Sequence, residues 1–476
     1  MCSYTKCDLP SREELIAQGY PYGKSTEGIP QGNTEVEWKR TKPDVVVYRP
    51  HMEMWDGDNE HFLVFESPRY DGLMAIWTQS SCEGRGDNHI MFSRSSADQQ
   101  YWEPPKVLMG KSPKGVGTQA SWGFPVVSKS GRIYVFAVGE IQNTDVVGYD
   151  VAMRQHAGGM VCIYSDDNGE TWVKEDVLLP VRRTRFAADD PNIPVAWIVF
   201  QVPIRGADGK YLVGYTDWGY TPKMEKSSNA WIHSDSHCYF LRFENIDDDP
   251  SPKDVVITWF PETQDGLTAP DPIEDKLEVG QEPSVVLLPN GWLFTVYRTV
   301  LGCPYYSVSE DNGVSWRTPE PLLYHDGGER MAHPMSPCEL YRIKDDRYIF
   351  IFHNNDGSRL WFKQSDPHWK CNYANYFRNP TYISVASFTP SCHQPLSFGA
   401  PVEFLNTGDI SVGPKKTAET GTYTSLTQKD GRIMLWYPDR KYYLLGKEVT
   451  EEIINKSCDG ENSEHEKVIS HERRNT

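Results

Sequence analysis

Short apolar runs alternate with polar residues, stop at a Gly or Asp turn and resume in the opposite phase. The pattern recurs in "FPVVSKSGRIYVFAV" (124–138), "VPIRGADGKYLVGYT" (202–216), "EPSVVLLPNGWLFTVYR" (282–298), "SPCELYRIKDDRYIFIF" (336–352) and "YTSLTQKDGRIMLWY" (423–437). Each string predicts a strand, a tight turn and a second strand. "VVVYRPHMEMWDGDNEHFLVFE" (45–66) reads as a sixth, looser copy. A second module has the same period. "SDDNGETW" (165–172) and "SEDNGVSW" (309–316) place Ser, Asp, Gly, Thr or Ser, and Trp at matching positions, and "SSADQQYW" (95–102) keeps only Ser95 and Trp102. In this reading Asp and Gly fix a hairpin between outer strands, and the Trp pins that turn against its own blade. Six hairpins at a spacing near 70 residues, each followed by further strands, predict an all-β chain folded as a six-bladed β-propeller of four-stranded antiparallel blades. Long amphipathic helices are hard to find.

Size and composition agree. A chain of 476 residues exceeds the usual single core, so it grows by adding units, and 37 Gly, 34 Pro and 12% aromatics suit short strands joined by turns. Residues 1–43 read as an N-terminal arm, 44–445 as the propeller and 446–476 as a charged, solvated tail. The formal charge of −18 argues against nucleic acid as a partner, so an anionic ligand has to be small and locally captured. No run of 18 apolar residues predicts a membrane span, and no apolar leader is visible. The ten cysteines lack C-x-x-C spacing and read as reduced thiols, so a cytoplasmic location is expected, or a secreted one if a leader was removed.

In a propeller the innermost strands line the axis, so the starts of the repeated strings converge on one pocket. Those positions and their neighbours include Arg49 in "YRP", Glu282 in "QEPSVV", Arg298 in "VYRT", Arg359 in "DGSRLWF" and Tyr423 in "TYTSL". Over roughly residues 44–440 this set resembles the sialidase superfamily. "EPSVVLLPNGWLFTVYR" is similar to the family segment in which a Glu opens a blade and an Arg closes its second strand. "YTSLTQKDGRIMLWY" is similar to the nucleophile segment. "NNDGSRLWFKQS", with Asn354 before Arg359 and Ser365 after it, resembles the segment of the third arginine. "YRPHM" lacks the Ile of the family's Arg-Ile-Pro string. The resemblance implies Tyr423 as nucleophile, Glu282 as its base, and Arg49, Arg298 and Arg359 as a grip on a carboxylate. Asp87 in "GRGDNHIMFSRS" is the expected acid, with Asp71 in "PRYDG" second.

The residue types suit that chemistry. Guanidinium groups bind carboxylates bidentately, and a neutral Tyr approaches an anionic sugar without the repulsion that an acid nucleophile meets. The expected activity is an exo-acting, retaining hydrolysis that releases a terminal acidic sugar from a glycan, with no metal and no organic cofactor. Two alternatives stand beside it. One is a polysaccharide lyase in which His51, His89 or His333 moves protons on a uronate. The other is a noncatalytic glycan-binding propeller. The "VRRTRF" arginines (182, 183 and 185) read as an internally paired loop, His233 and His237 as strand or loop surface, and "IDDDP" (246–250) as a turn.

Overall fold

A computed structural model describes residues 30–51, 55–111, 117–139, 154–220, 235–263, 265–270, 278–356 and 378–459. The strands form six antiparallel sheets arranged as the blades of a β-propeller. From the axis outward, the first blade is Asp58–Ser67, Tyr70–Ser80, His89–Arg94 and Lys106–Gly110, and the second is Ala120–Val127, Ile133–Gly139, Gly159–Ser165 and Val173–Leu179. The third is Ala196–Ile198, Tyr211–Trp218, Ser236–Phe243 and Ile257–Phe260, with Ile204–Arg205 also paired to its second strand. The fourth is Gln281–Leu287, Leu293–Arg298, Tyr305–Ser309 and Glu320–Pro321. The fifth is Glu339–Arg342, Tyr348–Phe352, Thr381–Phe388 and Leu396–Phe398, with Val402–Leu405 added on its third strand.

The sixth blade corrects the reading of the looser hairpin copy. Val45–Tyr48 does not pair with Asp58–Ser67; it adds to Tyr443–Glu448 as the outer strand of a blade whose inner strands are Arg432–Asp439 and Ser425–Lys429. The ring is therefore closed by strands from opposite ends of the chain. Val45, Phe62, Val64, Trp77, Trp436 and Leu444 pack as one buried cluster across this seam.

The Trp-ended turns connect the third and fourth strands of their blades. Asp167 accepts from the Thr171 N–H at 2.9 Å and the Thr171 hydroxyl at 2.6 Å, and Ser165 Oγ accepts from the Gly169 N–H at 2.8 Å. Asp311 and Ser309 repeat the set around Gly313 and Ser315. The Trp does not pack on its own blade, as expected from sequence, but on the blade before it. Trp172 meets Phe92 of the first blade edge-on at 5.2 Å, Trp316 stacks on Phe240 of the third at 4.1 Å, and Trp102 meets Trp436 of the sixth at 5.5 Å. The turn brings its own backbone onto the same neighbour: a Cβ on Gly169, at φ +81°, would lie 2.3 Å from the Phe92 ring. The motif is a clip between blades.

Both ends of the described chain add to the ring. Gln31 bridges to Ser411, and the buried Glu37 pairs with Arg40 at 2.6 Å and Arg440 at 3.0 Å. Past residue 445 the chain continues Tyr443–Glu448 and then forms a helix over 451–459, in contrast to a solvated tail. Ile454 of this helix is buried among the apolar residues of the fifth and sixth blades, and Ser457 Oγ accepts the Val385 N–H at 2.9 Å. No helix among the described residues is long and apolar enough to cross a membrane.

Candidate active site

Four residues near the starts of innermost strands share one backbone device. His61, Trp122, Glu282 and Tyr423 have φ of 56°, 57°, 55° and 59°. In three of the blades the ladder slips at that point, between Glu60 and Leu63, Ser121 and Phe124, and Gln281 and Ser284. A bulge re-aims the side chain, and positive φ in a bulky residue persists only where surrounding contacts hold it. Those contacts are present: Thr78 Oγ1 accepts the Trp122 N–H at 2.9 Å, and Thr216 Oγ1 accepts the Glu282 N–H at 2.7 Å, each Thr lying on the preceding blade. The four side chains then meet. Trp122 lies 5.3 Å from His61 and 5.6 Å from Tyr423, ring to ring, and the Tyr423 hydroxyl donates to Glu282 Oε1 at 2.8 Å.

Tyr423 and Glu282 line a cavity of about 310 Å³ at the face where second strands connect to third strands. Arg298 ends the second strand of the fourth blade and holds Glu282 Oε2 through Nη1 at 2.7 Å, while its Nε and Nη2 donate to Gln281 Oε1. Arg378 donates through Nη1 to Glu419 at 2.8 Å and through Nη2 to the Met335 carbonyl; its buried Nε has no partner among the described residues. Lys441 stands 5.1 Å over the Tyr423 ring and pairs with Glu60 at 2.6 Å and Glu83 at 2.9 Å. Lys415 also pairs with Glu83. Trp122, His156 and Trp218 form an aromatic wall, with His156 stacked 5.2 Å from Trp122 and 4.8 Å from Trp218.

Burial sets the electrostatics. It raises the Glu282 carboxyl above its ordinary range, with Arg298 opposing, which makes Glu282 a stronger base than an exposed carboxylate. Burial, then the Glu282 charge, raises the Tyr423 phenol, so its proton leaves only to a base in direct contact. Burial also pulls on Glu419, yet Lys415 and Arg378 hold it well below the usual range. Behind Lys441, burial and the neighbouring Glu60 push Asp58 up to about 7.

Of the site residues expected from sequence, the structure brings Tyr423, Glu282 and Arg298 together. Arg49 is not with them: it follows the outer strand of the sixth blade, is exposed, and lies 5.5 Å over the Trp38 ring. Arg359 and Ser365 lie outside the described residues, as does His233. Asn354 accepts from the Tyr324 hydroxyl at 3.4 Å. Asp87 is buried and does not line the cavity; Oδ2 accepts the Ser81 N–H at 3.1 Å and Oδ1 has no partner among the described residues. Asp71 is exposed at the turn after Asp58–Ser67, the end of that strand remote from the cavity.

The histidines of the lyase alternative do not line the cavity: His51 is exposed with its ring edge-on to Tyr48 at 6.1 Å, the His89 ring bonds Gln79 and the Asp87 carbonyl, and the His333 ring bonds the Ser336 carbonyl. Burial drives His333 down to about 3. The "VRRTRF" arginines are internally satisfied, Arg183 by the Ala188 and Ile193 carbonyls and Arg185 by Asp265, and Asp247 of "IDDDP" pairs with Arg205 and Lys129. Among the described residues no group of three or more His, Cys, Asp or Glu is placed to hold a metal.

Sequence reasoning missed Arg378, Lys441, Lys415 and the aromatic wall. Arg378 had a signal, since "FRNP" directly precedes the strand Thr381–Phe388. Lys441 had none, because a charged hairpin turn at 439–442 reads as solvated surface.

Comparison with known proteins agrees with this architecture. The BNR repeat-like domain matches residues 71–380, close to two thirds of the chain. No curated protein matches the sequence significantly. Among solved structures, a protein of unknown function from Dyadobacter fermentans is 14% identical with a TM-score of 0.53, over 86% of this chain and 96% of that one. The NanB sialidase from Streptococcus pneumoniae is 10% identical with a TM-score of 0.54, over 87% and 71% of the two chains. The intramolecular trans-sialidase from Ruminococcus gnavus is 13% identical with a TM-score of 0.52, over 86% and 97%. At such identities the likeness is one of fold, and with the domain match and the six blades it establishes that this chain belongs to the BNR repeat-like family, within the superfamily of sialidase propellers.

Proposed function

We propose that the protein is an exo-acting glycoside hydrolase of sialidase type, which releases a terminal acidic sugar from a glycan with retention of configuration. The contact that carries this reading is the 2.8 Å hydrogen bond from the buried Tyr423 hydroxyl to Glu282, itself held at 2.7 Å by Arg298. Glu282 takes the Tyr423 proton as the phenol oxygen attacks the anomeric carbon and the glycosidic C–O bond breaks, the departing aglycone oxygen taking a proton from the general acid; the glycosyl–Tyr423 intermediate is then hydrolysed by water, and Glu282 returns its proton to the phenol oxygen. A neutral nucleophile suits a sugar whose carboxylate lies beside the reacting carbon. That carboxylate is received by Arg298 and Arg378, with Lys415 and Lys441 adding positive charge around it; Arg359 is a further contributor in this reading. Arg49 has no part in it.

The general acid is assigned to Asp87 of loop 81–88, which has no cation partner and an unpaired Oδ1 among the described residues; as Asp87 does not itself line the cavity, a water relays its proton to the leaving oxygen in this reading. Glu83 of the same loop faces the cavity but sits between two lysines, which favour its charged form. The test is incubation with sialosides and with uronate-terminated oligosaccharides. Free acidic sugar should appear from the first set, the first-formed anomer matching the substrate, and Tyr423→Phe should lower turnover about a thousand-fold or more. Release of an unsaturated uronate, or no product from either set, overturns the reading.

A further inference from the structure

We propose that Glu339 is the proton holder beneath the catalytic couple: of two neighbouring buried carboxyls it keeps the proton, and Glu282 is thereby left ionised to receive the proton of Tyr423. The inference rests on the role given above to Tyr423 and Glu282, and it adds a positioning residue that never touches the substrate.

Glu339 opens the innermost strand of the fifth blade and is wholly buried. Its Oε1 accepts the N–H of Thr424, the residue after Tyr423, at 3.1 Å, and its Oε2 has neither a hydrogen-bond partner nor a cation among the described residues. Glu282, on the innermost strand of the adjacent fourth blade, has the Arg298 guanidinium and the Tyr423 hydroxyl. Two carboxyls in one dry site do not both ionise, and the charge goes to the one with the guanidinium. Among the described residues the titratable groups facing Glu339 are Glu282 from the fourth blade, Cys338 just before its own strand and Tyr341 on it, and none is a cation; Tyr423 faces it only through its backbone N–H. Burial, opposed by the Thr424 N–H and reinforced by Glu282, carries Glu339 up to about 8.

During turnover the Tyr423 proton moves to Glu282 Oε1, the phenol oxygen bonds to the anomeric carbon, and Glu339 keeps its own proton throughout. Loss of that proton in alkaline solution places a second negative charge beside the couple and disfavours the phenolate. Turnover of wild type should therefore decline above about pH 8. Glu339→Gln keeps the shape and the neutral state, so it should retain turnover at pH 6 within about threefold and lose this alkaline limb.

A second readout is independent of substrate. The infrared carbonyl stretch of a protonated carboxyl should disappear in Glu339→Gln at pH 6 and persist in Glu282→Gln; Asp58 titrates in both variants and cancels in the comparison. The opposite pattern, or an unchanged alkaline limb in Glu339→Gln, overturns the proposal. If Glu339→Gln does not fold, wild type is compared with Glu282→Gln at pH 6, where Asp58 again cancels: an unchanged carbonyl band supports the proposal, and a band lost with Glu282 sinks it. A chain that hydrolyses no acidic-sugar glycoside yet shows the expected bands would overturn the catalytic reading while leaving the proton on Glu339.

Discussion

Tyr423 and Glu282 lie 141 positions apart in the sequence, yet make one hydrogen bond, each from a residue held at positive φ. Residues acting as a unit give non-additive losses, so Tyr423→Phe and Glu282→Gln should each remove most of the turnover and the double variant little more. Multiplicative losses in steady-state kinetics would show that the two act independently. The arginines divide differently. Arg298 grips Glu282 itself, so Arg298→Lys should lower kcat as well as raise KM. Arg378 bonds Glu419 and Met335, so Arg378→Lys should mainly raise KM for acidic sugars, by about ten- to hundred-fold. Tyr423, Glu282 and Arg298 were legible because each stands at a fixed place in a strand–turn–strand string. Arg49 misled because an Arg-Pro pair near the first blade was taken for its innermost strand. That strand begins at Asp58, and its bulge carries His61, so cationic charge reaches the cavity from loops whose three-dimensional course no local pattern encodes.

At the scale of elements, the Trp-ended turns hold neighbouring blades together. Trp316 is almost fully buried against Phe240, and its indole N–H closes on the Gly313 carbonyl at 3.1 Å. Truncation to Ala empties a pocket between two blades and should cost roughly 3 to 5 kcal/mol, measured by denaturant unfolding. Trp172 is less deeply buried and should cost less, and a Trp316→Ala effect under about 1 kcal/mol would contradict the clip. The turn itself was legible in sequence, because Asp, Gly and Thr act within a few residues. Its partner was not, since Phe240 lies 76 positions before Trp316 and the pairing depends on how blades follow one another round the ring.

For the whole molecule, two sets of carboxyls set the pH of greatest stability. Glu419 is held low against its burial by Lys415 and Arg378, and the exposed Asp167 is held at about 2 by Thr171; such groups stabilise above their unfolded pKa and fail as pH falls through the folded value. Asp217 at about 6, Asp58 at about 7 and Glu339 at about 8 are all raised chiefly by burial, so their contribution is complete below the unfolded value and is lost as pH rises through the folded one. The melting temperature should therefore peak near about pH 5 and fall on both sides, steeply toward pH 2; a maximum at pH 8 or above would contradict these environments. Blade number was legible from the repeat, whereas the shared sixth blade was not, because Val45–Tyr48 reads equally well as the opening of the first hairpin.

That shared blade imposes a schedule on biosynthesis. The strand Val45–Tyr48 leaves the ribosome nearly four hundred residues before Tyr443–Glu448, the strand it pairs with. At roughly 5 to 20 residues per second this is a wait of about 20 to 80 s. Throughout it, the seam-facing side of the first blade, with Phe62, Val64 and Trp77, has no sixth blade to cover it. The nascent chain is thus a row of blades with a greasy leading edge for most of its translation, a client for whichever chaperone first meets it at the tunnel exit.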